Sequence, residues 1–381
     1  MKHFHYIFTG TGLAALMTVY KMTQSGKFKD KSILLLDENP KKTNDRTWCF
    51  WGKEESIWES VISKKWDSAL FANENFKRNL DLQPYQYNKI EGLDFYNFVF
   101  ELLSKEKNIT FLNEKVTDIN ELKNHVFVAT ETNEFTCDQV FNSIYNKKTT
   151  NNQTKFPVLQ QHFIGWYIKT TAAVFNPEQA TFMDFSVAQK GNTRFMYVLP
   201  TLANEALLEY TLFSHKLLEK KEYENEIENY IQKLGIKNYE IIQKEQGSIP
   251  MSCYPFWKKN TKKVLNIGTA GGWTKASTGY TFRYSDKHST RLVTFLEKDF
   301  ELKKFHKKNK FWFYDLLLLD ILDRHNELGA TIFSSMFRKG NPALIFKFLD
   351  EETSLIEDIK VILKCPKILF IKALFKSNRY L

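Results

Sequence analysis

The chain lacks the cysteine and histidine arrangements that staple a small protein or seat a metal. Its four cysteines, Cys49, Cys137, Cys253 and Cys365, stand far apart with no CxxC, which argues against a disulfide scaffold and a zinc site and fits a reducing cytoplasm. The eight histidines form no i,i+4 pair that could clamp a metal, so no metal is expected, and His3 and His5 read as ordinary residues flanking a strand. Long apolar runs are missing as well. The stretch Phe311 to Leu322 is broken by Asp315 and Asp320, far from the roughly 18–20 clean residues of a spanning helix. Met1 leads almost at once into strand-like sequence, so no cleavable signal is expected. There is no internal repeat, low-complexity tract, zinc-finger spacing or RNA-binding aromatic signature.

Among 381 residues, 43% are hydrophobic and 26% charged, which excludes disorder of the low-hydrophobicity kind. Phenylalanine alone contributes 33 residues and aromatics reach 15%. That suits either a thick aromatic core or a pocket for a long apolar ligand. The formal charge of +10 favours an anionic partner. Without nucleic-acid signatures, that partner is expected to be a membrane surface and not a nucleic acid.

The N-terminus carries the most informative local pattern. His3 to Thr9 reads as a buried strand, Gly10-Thr-Gly-Leu-Ala-Ala15 follows at once, and Leu13, Leu16, Met17 and Tyr20 fall at helical spacing. A second strand, Ser32 to Leu36, ends at Asp37. Strand, glycine turn, helix, strand and acid form the dinucleotide-binding unit. In it Gly10 permits the tight turn, Gly12 lets backbone approach a pyrophosphate, and Ala15 allows close helix–strand packing. The helix N-terminus offers free N–H groups to phosphate, and Asp37 is positioned to accept from ribose hydroxyls.

Farther along, Arg46 to Trp51 is aromatic without simple periodicity, and Gly92 to Leu103 predicts an amphipathic helix. Ile109–Leu112, His125–Ala129 and Phe135–Asn142 predict strands, the last two in a hairpin-like meander. Lys147 to Lys155 is polar and reads as a linker. From Gln161 the pattern turns to strands: HFIGWYIKT, then Thr181–Phe185, Arg194–Leu199 and Ala206–Phe213. A charged helix over Glu222–Leu234 follows. Lys263–Ile267 predicts a further strand, broken by Gly268-Thr-Ala-Gly-Gly272 before a helix from near Thr278 to Glu297. Phe305 to Leu381 is expected to be mainly helical. Its end, Pro366 to Leu381, joins an apolar face to Lys367, Lys372, Lys376 and Arg379, a pattern shared by helices at a membrane interface and tail helices docked on a core.

These blocks, in this order, resemble the bacterial lycopene β-cyclase family. The resemblance runs through the glycine turn, Arg46-Thr-Trp48, Gln161-His-Phe-Ile-Gly-Trp166, Thr181-Phe-Met-Asp-Phe185 and Arg194 to Pro200. It continues through Ala206 to Ser214, Gly247-Ser-Ile-Pro250, Gly268 to Gly272 and Ser277-Thr-Gly-Tyr280. It implies an α/β fold, with a glutathione-reductase-type Rossmann FAD-binding domain, a β-sheet substrate domain and a helical C-terminal region. The expected division is 1–150 and 259–300 for the FAD-binding domain, 151–258 for the substrate domain and 301–381 for the helical region. It further implies peripheral membrane association and non-covalent FAD in reduced form, with NAD(P)H as reductant. The implied reaction is redox-neutral cyclisation of the ψ-ends of lycopene to β-rings, through γ-carotene.

That chemistry requires an acid able to protonate an unactivated alkene. On strand pattern alone Glu209 reads as a solvated face residue; the resemblance makes it the acid, and burial would raise its pKa and keep it protonated. The family carries a second acid beside this glutamate, where this chain has Tyr210. Asp184 is therefore the next candidate, as a partner or as a counter-charge. Trp166, Phe185 and Tyr197 are candidates for ring faces that stabilise a carbocation. Gly268, Gly271, Gly272 and Gly279 resemble the second FAD-contact region, with Thr269 where an aspartate is usual. A flavin monooxygenase or an isoprenoid reductase would share the fold and the N-terminal motif, and a non-catalytic carotenoid-binding protein could retain them.

Overall fold

The computed structural model describes residues 1–53, 56–298 and 300–380. The chain opens with β1 (Lys2–Thr9), α1 (Leu13–Ser25) and β2 (Ile33–Leu36). It then forms β3 (Thr47–Gly52), β4 (Ile62–Trp66), β5 (Ser68–Ala72), β6 (Lys77–Asp81) and β7 (Gln86–Glu91). The aromatic stretch without periodicity is thus a strand. Next come α2 (Gly92–Leu103), β8 (Ile109–Leu112), β9 (Val116–Glu121), β10 (Val126–Thr130) and β11 (Glu134–Asn142). The polar linker holds only the short helix α3 (Lys148–Asn151).

The middle of the chain is formed by β12 (Leu159–Thr170), β13 (Gln179–Asp184), β14 (Thr193–Leu202), β15 (Glu205–Ser214), α4 (Lys220–Lys233) and β16 (Tyr239–Met251). After β17 (Val264–Asn266) the remaining elements are helices: α5 (Phe282–Leu296), α6 (Lys310–Arg324), α7 (Gly329–Lys339), α8 (Pro342–Leu349), α9 (Leu355–Ile362) and α10 (Lys367–Lys376). Helix α5 starts four residues later than its pattern predicts, because Gly279 takes a left-handed φ of 72° and keeps the preceding loop out of the helix.

The first sheet runs β8-β2-β1-β11-β10-β9, with β17 pairing the C-terminal part of β11. β8, β2, β1, β11 and β17 are parallel, and β10 and β9 add the antiparallel meander. Its central strands are apolar on both faces because both are covered. Phe8, Ile33 and Leu35 pack with α1, α2 and α5. Ile7, Leu34 and Leu36 pack with Val126 and Val128 of the meander on the other side.

The second sheet runs β16-β12-β15-β14-β13-β5-β6 and is antiparallel except where β13 meets β5. A cut at residue 150 therefore does not separate the two sheets. β5 and β6 come from the N-terminal segment and extend the second sheet through that parallel pairing. A small third sheet, β3-β7-β4, lies in the same N-terminal segment. Helix α4 covers one face of the second sheet through Tyr223, Ile227, Tyr230 and Ile231. The opposite face packs with residues of α6, α7 and α8. Among the described residues no helix is long and apolar enough to cross a membrane.

Candidate functional site

A cavity of about 480 Å³ begins at the N-terminal glycine turn and reaches the face of the second sheet opposite α4. Gly12, Leu13, Ser143, Thr269 and Gly279 line one end, and Phe163, Phe195, Phe213, Phe333 and Phe337 the other. Glu209 and Glu245 lie on its wall. Among the described residues no cluster of histidine, cysteine, aspartate or glutamate could hold a metal ion.

At the first end, Gly10 has a φ of 86°, which explains its identity by backbone alone. Gly12 is different. It caps α1 in an ordinary extended conformation, and a Cβ there would meet no atom within 4 Å. Neither strain nor packing calls for glycine, so the open space beside the helix N-terminus suits a group that must approach backbone closely. Asp37 holds the turn: its Oδ2 accepts from Thr11 N at 2.6 Å and from Thr11 Oγ1 at 2.9 Å. Its Oδ1 accepts from Asn39 N, and Lys41 Nζ lies 3.4 Å from Oδ2. Ala15 is fully buried where α1 meets the sheet.

The second glycine cluster serves mainly to bring backbones together. A Cβ on Gly268 would lie 3.2 Å from that of Ala14, and one on Gly271 would lie 2.1 Å from Asn266 O. Gly268 and Gly272 also have positive φ, at 57° and 74°. Of the region's predicted glycines only Gly279 lines the cavity, beside Thr269, Thr278 and Thr281. Here Gln161 Oε1 and Thr278 Oγ1 are buried polar atoms without a protein hydrogen-bond partner. Open space at Gly12 and two unsatisfied groups across the cavity fit a bound polar cofactor.

The second sheet places one rung of residues across four strands. Gly165 of β12 lies between Glu245 of β16 and Glu209 of β15, and Tyr197 of β14 is paired with Glu209. A Cβ on Gly165 would fall 2.8 Å from Leu207 Cδ1, 3.2 Å from Glu245 Cγ and 3.4 Å from Glu209 Cβ. The missing side chain lets two carboxylates from different strands close over it, and they share a hydrogen bond. Glu209 also accepts from Thr211 Oγ1 at 2.5 Å, and Glu245 from Thr47 Oγ1 at 2.7 Å. Tyr167 OH and Thr47 Oγ1 are 3.0 Å apart. Burial first, and then the charge of Glu245, hold the Glu209 carboxyl well above the usual range. Burial raises Glu245 too, against the hydrogen bond from Thr47. Both carboxyls are thus held above the ordinary carboxylate range, Glu209 the further of the two. Beside it, Tyr87 OH is hydrogen-bonded to Tyr197 OH and lies 2.8 Å from Tyr280 OH.

Two predicted site residues lie on the wrong face. Successive residues of a strand alternate between faces, and Asp184 pairs with Met196, one step out of phase with Tyr197. Its carboxylate caps Ser186 N at 2.8 Å and accepts from Tyr230 OH of α4 at 2.8 Å. It is not the partner of Glu209. Trp166 pairs with Leu208 and packs under α4 in the same way. Phe185 sits behind the cavity wall, against Phe195 and Phe333. Tyr210 also faces α4, where Arg194 Nη1 donates to its hydroxyl at 3.2 Å. An acid at that position would not enter the cavity. Sequence reasoning missed Glu245, which lies in a polar stretch, KEQG, that the structure makes part of the edge strand β16. The usable signals were its place two residues before the Gly247 block and the register that sets it beside Gly165.

The model of the lycopene cyclase protein family matches residues 6–375. No curated protein matches the sequence. The fold is similar to that of a geranylgeranyl bacteriochlorophyll reductase-like protein from Thermoplasma acidophilum, at 10% identity and a TM-score of 0.59, over 100% of this chain and 97% of that one. It is similar to a flavoprotein/dehydrogenase from Cytophaga hutchinsonii, at 11% identity and a TM-score of 0.60, over 99% and 100%. It is also similar to the halogenase PltM in complex with phloroglucinol and FAD, at 12% identity and a TM-score of 0.59, over 97% and 86%.

Proposed function

The chain belongs to the lycopene cyclase family, and on that premise we propose that it binds FAD and closes the ψ-ends of lycopene into β-rings, by way of γ-carotene, without net oxidation. The observation that carries this reading is a buried carboxyl, Glu209, which burial pushes well above the ordinary carboxylate range, on the wall of a cavity that begins at a dinucleotide-type glycine turn. A solvated carboxylic acid cannot protonate an unactivated alkene at a useful rate. One held protonated in an aromatic pocket has no competing base but its own partner.

Gly12 and the N-terminus of α1 would receive the pyrophosphate, Asp37 the ribose, and Gln161, Thr278 and Gly279 the remaining polar edge of the cofactor. Reduced FAD, kept so by NAD(P)H, would supply negative charge near a cationic intermediate. Glu209 delivers the proton to the terminal double bond. Phe195, Phe213, Phe333 and Phe337 exclude water and present π-faces to the cation, with Tyr197 at the acid.

The substrate partitions into lipid, and the C-terminal helices support docking there. Leu355, Ile356 and Ile359 of α9, with Ile368, Ile371 and Phe375 of α10, are each more than half exposed. Lys367, Lys372 and Lys376 are exposed beside them, whereas Arg379 is tied to Asp320 of α6 at 2.5 Å. We read this as a peripheral cytoplasmic enzyme on an anionic membrane surface.

The test is to supply purified protein with FAD, NAD(P)H and lycopene in anionic vesicles. β-Ring products should form without stoichiometric use of NAD(P)H or dioxygen, and Gly12→Val should lose the flavin. Product that tracks dioxygen would make the protein a monooxygenase, and product that tracks NAD(P)H alone a reductase.

A further inference from the structure

We propose that Glu245 is a working member of the acid site: it and Glu209 share one proton, which the pair gives up to start ring closure and takes back to end it. This rests on the reading of Glu209 as the acid. Both carboxylates line the cavity, and Gly165 between them leaves no side chain to keep them apart.

The two groups are placed unequally. Glu209 is buried in the sheet with one hydroxyl donor, Thr211. Glu245 accepts from Thr47, which is itself linked to Tyr167. The charged and titratable groups facing the pair are Lys89, Glu91, Cys49, Tyr167 and Tyr197 from neighbouring strands and Tyr280 from the loop before α5. Lys89 is the cation of the set, is nearly inaccessible, and is paired with Glu91. The resting pair therefore holds one proton and one negative charge, with Glu245 as the anionic member.

The step balances within the pair. The Glu209 O–H bond breaks as the terminal alkene's π-electrons form a C–H bond, leaving a tertiary cation beside two carboxylates. The π-electrons of the next double bond form the ring C–C bond and move the cation onto the ring. A ring C–H bond next to that cation then breaks, its electrons become the ring double bond, and its proton returns to the dianionic pair. Nothing is oxidised or reduced, and the pair ends as it began. The doubly charged intermediate state of the pair also stabilises the cation when it is needed and is a stronger base than either carboxylate alone.

The pH dependence of cyclisation by flavin-loaded enzyme tests this, because a Glu245 that only adds charge beside Glu209 would move the alkaline limb but would give no acid limb. Wild type should show a bell, with the singly protonated pair active. Glu245→Gln removes the like charge beside Glu209. It should cut the neutral-pH rate by about 10-fold or more, erase the acid limb and move the alkaline limb to lower pH. Thr47→Val leaves both carboxylates but withdraws the donor that favours the charged form of Glu245, so its acid limb should move to higher pH. Should Glu245→Gln not fold, the Thr47→Val shift alone decides. A wild-type profile in Glu245→Gln or in Thr47→Val, with Glu209→Gln inactive, overturns the shared proton and leaves the acid role of Glu209 standing. An active Glu209→Gln overturns both.

Discussion

Asp184 and Glu209 are two carboxylates on one sheet, exposed to 5% and 8% respectively, yet the fold treats them in opposite ways. Asp184 points toward α4 and has a backbone N–H and a tyrosine hydroxyl to hold its charge. Glu209 points into the cavity, where its neighbours are one hydroxyl and another carboxylate. Burial alone therefore does not mark a reactive group. What marks it is burial without the donors that a structural carboxylate is given, on the face that meets a cavity. The same split separates Tyr197 from Trp166 and Glu209 from its neighbour Tyr210.

The sharpest way to break the comparison is to neutralise each carboxyl in turn. Glu209→Gln should fold and bind flavin but cyclise about 100-fold more slowly or worse, measured by pigment formation with purified enzyme. Its effect on stability has the opposite sign. Because the fold holds the Glu209 carboxyl above its ordinary value, its contribution is complete below the ordinary carboxylate range and is lost as pH rises through the raised value. Thermal melts of Glu209→Gln above neutral pH should therefore match or exceed wild type. Gly165→Ala leaves every functional group in place and adds one methyl between the carboxylates; a rate about 10-fold lower is expected from the displaced pair. Asp184→Asn should leave the rate within a few-fold of wild type while costing about 1–3 kcal/mol in denaturant unfolding, since one of two buried donors loses its charged acceptor. Trp166→Phe should be smallest, with unchanged rate and a stability change within about 1 kcal/mol, because its indole N–H has no partner to lose.

Much of the first sheet was legible because its signals are local. A buried strand, a glycine turn and a helix adjoin in sequence, and Gly92–Leu103 carries its own period. Four strands of the second sheet, β12 to β15, were legible for the same reason, and Glu209 through the block around it, whereas β5, β6 and β16 were not. Their faces were not, since the face of residue 184 or 166 depends on which residue it pairs with across the sheet, and pairing is a long-range fact. Glu245 was hidden for a related reason. On an edge strand with alternating exposure, a glutamate in KEQG looks solvated until β12 brings Gly165 beside it. Gly268, Gly271 and Gly272 were legible as a turn, but their reason lies in close contacts with Ala14, Asn266 and Phe256 respectively, which only the folded chain shows.

The central claim is that the cavity face stores a proton on Glu209 at neutral pH, and infrared difference spectroscopy reads it directly. Wild-type protein at pH 7 should show the carbonyl stretch of a protonated carboxylic acid that disappears in Glu209→Gln and persists in Asp184→Asn. A spectrum in which that band is absent from wild type, or survives in Glu209→Gln, would contradict the account.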